Sequence, residues 1–501
     1  TATSPPGCAR AAGDTDSFRW RDDWPRRASG LGWVNADALA GGYVVARQFT
    51  RANFIPLKSS LVPSDAASRA RKIRPDATVD SHAWLRPLRP WGALIVLVGL
   101  LLVSALFSIP PIRDAATMER VAEAELVRSA GYVLLAPLLN VFDVLTLLSV
   151  RQHIALLITL FIGYALWWRW RGRVMPPTVT PARRAARVVA RVGLALLALL
   201  AVYFGGALLP RPMAAIEVQP NIVAIDFHAH TRFSHDGRPD WTPEDVRSWH
   251  RKAGFDAAYV TDHRTFEGAR DGWSNNPDLA GQGVSLLPAI EVVWKGEHVN
   301  VLDADRMYRG IFNATLRDID EDALRLASSV PGNEPVLIET LPGDLSRMIP
   351  ARGPGTMGVR AIELIDGAPR GLGQVRRERA RILKLADSLD LALVAGSNHH
   401  GWGRTATGWT LMSLPGWRGE TPERLAFIIA ATIRRGGHGT TRVVERYVAD
   451  TESGIALPFT MPLVAWGMLR TLSVEERIAW LAWGVALLLL SRLKMRRLRG
   501  A

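Results

Sequence analysis

Apolar residues fall along this chain in two regimes. From residue 91 to 212, and again after 455, they come in long runs; between 218 and 450 they come as short segments separated by amphipathic stretches. Residues 92–109 carry no charge, are about long enough to cross a bilayer, and end at Pro110 and Pro111. Residues 130–150 are apolar but contain Pro137, Asn140 and Asp143, so this run spans, dips in or packs against its neighbours. Residues 154–168 carry a belt of Trp167, Trp168 and Trp170, and a fourth run covers 189–209. Residues 455–469 are interrupted by Pro458 and Pro462, whereas 478–490 run unbroken into Arg492, Lys494, Arg496, Arg497 and Arg499. Runs flanked by Arg and Trp predict a multi-pass protein of the plasma (inner) membrane, with a helical region over 89–212 and membrane or membrane-associated helices over 455–492.

Within 218–450 the pattern predicts alternating strands and helices. Strands are expected at 221–227, 257–261, 285–292, 298–302, 359–365 and 391–395. Thr242-Pro243-Glu244-Asp245 reads as a helix start with a cap, a first-turn proline and acids on the positive dipole end, and Gly254 closes that helix. Further helices are expected near 318–328, 375–388 and 424–435. This order argues for an α/β barrel or a doubly wound sheet, whose active site lies at the carboxyl ends of the strands.

The net charge of +14 over 501 residues would suggest nucleic acid or anionic lipid in a soluble protein. Here the arginines crowd the ends of apolar runs, which makes the bilayer the expected partner. The positive-inside rule gives two answers. The basic loop 169–191 belongs in the cytoplasm, which sends the 218–450 domain outside; counting every apolar run as a span from a cytoplasmic start puts that domain inside. The density of the loop favours the extracytoplasmic reading. Residues 1–88 are basic and without periodicity, and are expected to be a disordered extension. The first Met is Met118, so part of this extension is expected to be processed or foreign to the native start. The single Cys8 excludes a disulfide framework and a cysteine metal site.

Eight of the eleven histidines (228, 230, 235, 250, 263, 298, 399 and 400) fall between residues 226 and 400, most of them where strands are expected to end. His228 and His230, one residue apart on a strand, share a face and can chelate one ion, and Asp226 on that face is expected to orient an imidazole. His235 is expected at the rim or in solvent, His399 to point away, and His250 to be a surface or packing residue. Arg232, Arg264, Lys295 and Arg404 lie near these positions and can grip a phosphate; Glu363 and Asp366 either reach the site or cap a helix.

Together these residues resemble the PHP (polymerase and histidinol phosphatase) family of metal-dependent phosphoesterases. The resemblance rests on His228-Ala-His230-Thr231 with Ser234-His235-Asp236-Gly237, on Thr261-Asp262-His263, on Glu291 with His298, and on Asn398-His399-His400. It covers about residues 221–448 and implies a distorted (β/α)7 barrel holding two or three divalent ions, Zn, Mn or Fe. By motif, His228, His230 and a bridging Glu291 would hold one ion with Asn398; Glu291 and His298 a second; Asp236, His263 and His400 a third. Asp262 would orient His263 or help move protons.

Two departures matter. Asn398 stands where the family has Asp, exchanging an anionic ligand for a weaker amide oxygen, and no His occurs between His298 and His399, where many members have one. The leading expectation is hydrolysis of a phosphorylated small molecule or a nucleotide or oligonucleotide phosphoester, since relatives include exonuclease-like enzymes. No duplex-binding motif or base-stacking aromatic series marks a nucleic-acid groove. An amidohydrolase-like enzyme is disfavoured because no bridging Lys follows the His pair. The non-enzymatic alternative is a membrane sensor or scaffold that binds metal or a phosphorylated ligand without turnover.

Overall fold

The two regimes of the sequence become two kinds of structure, but the border between them is not where the apolar runs end. The computed structural model describes residues 91–172, 180–303, 310–452 and 454–500. The extension expected over 1–88, with His82 and Cys8, lies outside the described residues.

Helix α1 (Gly92–Leu106) is followed by strands β1 (Ile112–Asp114) and β2 (Ala124–Arg128), inside the stretch expected to be membrane helices. Strand β1 becomes an edge of the main sheet, and β2 pairs with β3 (Ala214–Val218) in a small antiparallel ribbon. The 130–150 run does not span. It breaks at Leu135 into α2 (Ala130–Leu134) and α3 (Ala136–Thr146), with Pro137 in the first turn of the second helix. Its polar residues are the reason, because Tyr132 Oη donates to Asn140 Oδ1 at 2.9 Å and to Asp143 Oδ2 at 2.8 Å, and Asp143 also accepts from Arg211 and Arg446. A carboxylate held by two guanidinium groups belongs in a protein interior, not in hydrocarbon.

Among the described residues two helices are long and apolar enough to cross a membrane: α4 (Val150–Gly172), over Val150–Trp170, and α5 (Pro181–Leu208), over Ala185–Leu208. Near the chain's end α11 (Thr460–Arg470) and α12 (Val474–Gly500) meet at a bend of 116°, so the 455–469 run is not a straight span of its own.

The intervening region follows the expected alternation closely. Strands β4 (Ile222–Ala229), β5 (Ala257–Val260), β6 (Ser285–Trp294), β7 (Glu297–Leu302), β8 (Leu337–Glu339), β9 (Val359–Asp366), β10 (Ala392–Gly396), β11 (Gly408–Ser413) and β12 (Arg442–Arg446) join β1 in one ten-stranded sheet, ordered β1-β12-β11-β4-β5-β6-β7-β8-β9-β10. Helices α6 (Pro243–Ala253), α7 (Glu267–Ser274), α8 (Glu321–Ser328), α9 (Pro369–Ser388) and α10 (Pro422–Gly436) connect them. Helix α6 has the expected signals: Thr242 and Asp245 form a reciprocal capping box, and Gly254 ends the helix at φ 85°.

The sevenfold parallel repeat of a (β/α)7 barrel is not reproduced. Five of the nine strand pairings are antiparallel, those of β1 with β12, β12 with β11, β11 with β4, β6 with β7 and β7 with β8. The fold is instead a mixed α/β sheet curled toward closure. The chain leaving β10 reaches the end of β4, where Asn398 N–H donates to His228 O at 2.7 Å and His230 N–H to His399 O at 3.1 Å. That meeting of distant strand ends brings the histidine motifs together.

Candidate metal centre

Strand β4 delivers His228 to the curled sheet's rim, and His230 follows immediately, both fully buried. Glu291 lies in the second half of β6, His298 at the start of the antiparallel β7, and His263 just beyond β5, bridged to Glu291. Asp236 comes from the turn after His230, and His400 from the loop after β10. Two glycines make room. At Gly237 a Cβ would meet Thr231 O at 2.0 Å; at Gly396 it would meet His228 Cβ at 2.5 Å and Glu363 Oε1 at 2.6 Å.

Seven of the eight residues expected as ligands converge in three overlapping groups: His228 with His230 and Glu291; His263 with Glu291 and His298; and His230 with Asp236, His263 and His400. Within each group the ligand atoms lie within 4.8 Å of one another. Glu291 is the hub. Its Oε2 is 2.9 Å from His228 Nε2, 3.3 Å from His230 Nε2 and 3.6 Å from His263 Nε2, while Oε1 is 2.6 Å from His298 Nδ1. Asp236 Oδ2 is a second meeting point, 3.1 Å from His400 Nε2 and 3.5 Å from His263 Nε2.

The tautomers suit a cation. His228 Nδ1 faces Glu363 Oε1 at 2.8 Å and His400 Nδ1 faces Asn398 O at 3.0 Å, so in each ring that nitrogen carries a proton and Nε2 turns inward, where it can bind a cation or take a second proton. His228 Nε2 and His230 Nε2 then stand 2.9 Å apart, and His230 Nδ1 is buried without a hydrogen-bond partner among the described residues. Lone pairs aimed at one another need a proton or a metal between them. This donor set, imidazole and carboxylate without thiolate, fits Zn, Mn or Fe.

The charges respond accordingly. Burial opposes ionisation of Glu291, yet the adjoining His228, with hydrogen bonds from the three imidazoles of His228, His230 and His298, holds its carboxyl well below the usual range. Burial opposes charging of His228 too, and Glu363 and Glu291 outweigh it and raise that imidazole. His230, buried and beside His400, is pushed down to about 3. Asp236 is held well below the usual carboxylate range by His263, His400 and Ser234, against the opposing effect of burial.

Asn398 behaves differently. Its backbone takes φ 44°, its Nδ2 donates to Asp366 Oδ2 at 3.1 Å, and its Oδ1 is buried without a partner among the described residues. Asp262 accepts from Thr231 N–H and Thr231 Oγ–H, each at 2.6 Å, so its carboxylate holds the turn after the His pair. Burial lifts Asp262 to about 6 despite those bonds. Arg404 lies against Trp241, 6.0 Å from the ring centroid, with no contact to a candidate ligand among the described hydrogen bonds. Lys295 is paired at the surface with Glu321 at 2.5 Å.

Other histidines sort cleanly. His235 is 66% exposed in its side chain, at the rim as expected. His399 points away, its ring stacked on Trp249, Nε2 on Gly403 O and Nδ1 accepting from Gly401 N–H. His250 is no surface residue: it is buried, with Nε2 2.6 Å from Asp226 Oδ2 and Nδ1 2.8 Å from Val246 O. Asp226 thus orients His250, not a candidate ligand, and its other oxygen accepts from the backbone N–H of His228 and Ser397. Glu363, which the sequence leaves open between reaching the site and capping a helix, proves to be the partner that sets the His228 ring.

No protein-family model matches this chain, and no curated protein matches it. Among solved structures it is similar to PsfC from Pseudomonas syringae, at 16% identity and TM-score 0.31, over 49% of this chain and 97% of that one. It is similar also to a two-domain protein from Bacteroides vulgatus containing a predicted PHP-like metal-dependent phosphoesterase, at 14% identity and TM-score 0.28, over 45% of this chain and 66% of that one. A third is the lesion-specific endonuclease EndoQ from Pyrococcus furiosus, at 13% identity and TM-score 0.32, over 44% of this chain and 57% of that one. Each similarity spans less than half of this chain.

Proposed function

We propose that this chain is a membrane-anchored, metal-dependent hydrolase of phosphoester bonds. The observation that carries the reading is the convergence of His228, His230, Asp236, His263, Glu291, His298 and His400 on shared points, with the Nδ1 protons of His228 and His400 turned outward. The motif resemblance supplies the phosphoester. Two or three divalent ions held there would lower the pKa of a water and neutralise phosphate oxygens as charge builds.

The chain's own residues do the rest. Glu291 keeps the ligand groups joined, Glu363 and the Asn398 carbonyl fix the His228 and His400 rings, and Thr231 anchors Asp262 so that it positions the strand-end turn. Arg404, whose Nε is buried without a partner among the described residues, is our candidate for gripping a phosphate oxygen. The second reading, a sensor that binds without turnover, is favoured by Asn398, whose amide is engaged with Asp366. Metal analysis of the full chain, with phosphomonoester and phosphodiester assays in Mn or Zn, separates the two. Turnover lost in His228→Ala supports the enzyme; tight metal binding with no turnover across a broad panel supports the sensor.

We further propose that the α/β region lies on the extracytoplasmic face of the plasma (inner) membrane. Helices α4 and α5 each have one end at this region, through Gln152 Nε2 to Ala449 O and Gly403 N–H to Ala207 O, and their other ends meet where Arg191 stacks on Trp168. Helices α1 and α12 repeat the arrangement, with Arg492 over Trp91 at the far ends. Arg169, Arg191, Arg492 and Lys494 therefore share the side away from the sheet, which the positive-inside rule assigns to the cytoplasm. An impermeant thiol reagent applied to intact spheroplasts should label Asp240→Cys; labelling only after lysis would reverse the orientation.

A further inference from the structure

We infer that the substrate is an amphiphile of the surrounding bilayer, a lipid-borne phosphoester whose head meets the metal centre and whose hydrocarbon chain occupies the cavity between that centre and the apolar helices. This rests on the phosphoesterase reading. A cavity of about 530 Å³ is lined both by Asp236, Asn398 and His400 and by Phe142, Leu145, Gly206 and Ala207, from α3 and α5. Its size is that of a site for a whole small molecule, and phosphate alone would leave most of it bare.

The connection is built into the fold. The loop that carries His400 is fastened to the end of α5 by Gly403 N–H donating to Ala207 O at 3.1 Å. Two residues on, Thr405 is held by Arg211 Nη2 at 2.9 Å and donates to Asp143 Oδ1 at 2.9 Å. The candidate ligand and the spanning helix thus share one wall, so a molecule reaching Asp236 and His400 passes the end of α5. Trp402, 53% exposed, lines the same cavity as a large apolar side chain against which a chain can slide. His153 and Tyr203, hydrogen-bonded to each other at 3.0 Å, add a polar pair to walls that also carry Thr146, Thr405 and Thr407, suited to the ester region below a head group. A nucleotide or sugar phosphate would bury polar groups against this surface without recompense, whereas an alkyl chain leaves water on entering it.

Hydrolysis would break the bond between phosphorus and the lipid alcohol's oxygen. The oxygen of water joins phosphorus, one water proton goes to the departing alkoxide, and a free lipid alcohol separates from the phosphate product.

The test uses the full chain in detergent with Mn, titrated with methyl-, butyl- and octylphosphonate, none of which can be hydrolysed at phosphorus. Affinity should rise by about tenfold or more from methyl to octyl, because each methylene taken from water is worth up to about fourfold. Ala207→Phe, or Gly206→Val should that variant fail to fold, should flatten the rise. Equal affinity along the series, or a rise that both variants keep because the chain merely enters detergent, would overturn the inference. Turnover of methyl and octyl phosphate separates this from the reading beneath it. Chain-dependent binding without any hydrolysis sinks the phosphoesterase; hydrolysis of both esters with no chain dependence in binding sinks the lipid substrate alone.

Discussion

Two buried polar clusters lie on either side of the 397–407 loop, and they are built on opposite plans. Beneath the loop, each oxygen of Asp143 faces donors: Arg211 and Thr405 on Oδ1, Arg446 and Tyr132 on Oδ2, at 2.7–3.0 Å. Above it, the inward nitrogens of His228 and His230 face each other, and one oxygen of Glu291 has three imidazoles within 3.6 Å. The carboxylate of the first cluster is satisfied by protein donors alone, although Arg211 Nε and Nη1 and Asn140 Nδ2 beside it have no partner among the described residues. The second is completed only by protons or cations, and this difference marks a site for a ligand more securely than burial or charge alone.

The comparison breaks most visibly if one residue from each cluster is removed. Asp143→Ala leaves two buried guanidinium groups without their anion and should destabilise the chain by about 3–5 kcal/mol, with metal content per folded molecule unchanged. His228→Ala should do the reverse. Metal content falls and turnover drops at least about a hundredfold, since even the outer partners of metal ligands are worth about 10–100-fold. Thermal unfolding followed alongside metal analysis reads both variants. Loss of metal in Asp143→Ala would mean that the clusters are one functional unit.

The next effect concerns the partner that sets a ring. Glu363→Gln keeps the shape but removes the anion that holds His228 Nδ1–H, and should weaken metal affinity by about 10–100-fold. An unchanged affinity in a competition titration with a fluorescent chelator would show that His228 is not held for a metal.

How much of this was legible in the sequence follows from the kind of signal each part sends. His228 and His230, Thr261-Asp262-His263 and His400 sit at strand ends, where period-two alternation and short spacing expose them. The β4 to β6 strands and α6 were readable because alternation and capping act within a few residues. Glu363 belongs to a buried strand and meets His228 across 135 residues of sequence, so only the sheet's curl reveals the contact. Strands β1 and β12 escape a hydrophobic pattern because Ile112-Arg113-Asp114 and Arg442-Val443-Val444-Glu445-Arg446 are short and half charged; their ion pair, Arg113 with Glu445 at 2.7 Å, is a cross-strand one. The 130–150 run stays open between spanning and packing in the sequence because Asn140 and Asp143 interrupt it, and only the fold shows the tertiary partners that claim them.

Asn398 sharpens the comparison from within the metal centre. Asn398→Asp would set a second carboxylate against Asp366, now 3.1 Å from the amide nitrogen, and should destabilise the metal-free chain by about 1–3 kcal/mol. If a cation binds between them, Mn should restore that stability and bind more tightly than to the parent. A variant that Mn does not rescue would place Asn398 with the self-completed clusters, as a strut for Asp366.

The smallest effect tests a carboxylate that belongs to neither plan. Asp256 accepts one backbone N–H, from Ala224 at 2.9 Å, and burial lifts it to about 6, with that bond and Arg418 only partly opposing. A carboxyl raised on folding takes up protons as the chain folds, so its ionisation works against the native state. That penalty is absent below about pH 4, where folded and unfolded forms are both protonated, grows as pH rises through about 6, and is complete above it. Asp256→Asn keeps an acceptor for Ala224 and has nothing to ionise. It should therefore be more stable than the parent by about 1–2 kcal/mol at pH 8, allowing for partial exposure, and indistinguishable from it near pH 4. Melting curves at the two pH values decide it: equal stabilities at pH 8 would mean that solvent reaches this carboxylate, and that the line between the self-completed cluster and the metal centre is drawn by partners alone, not by burial.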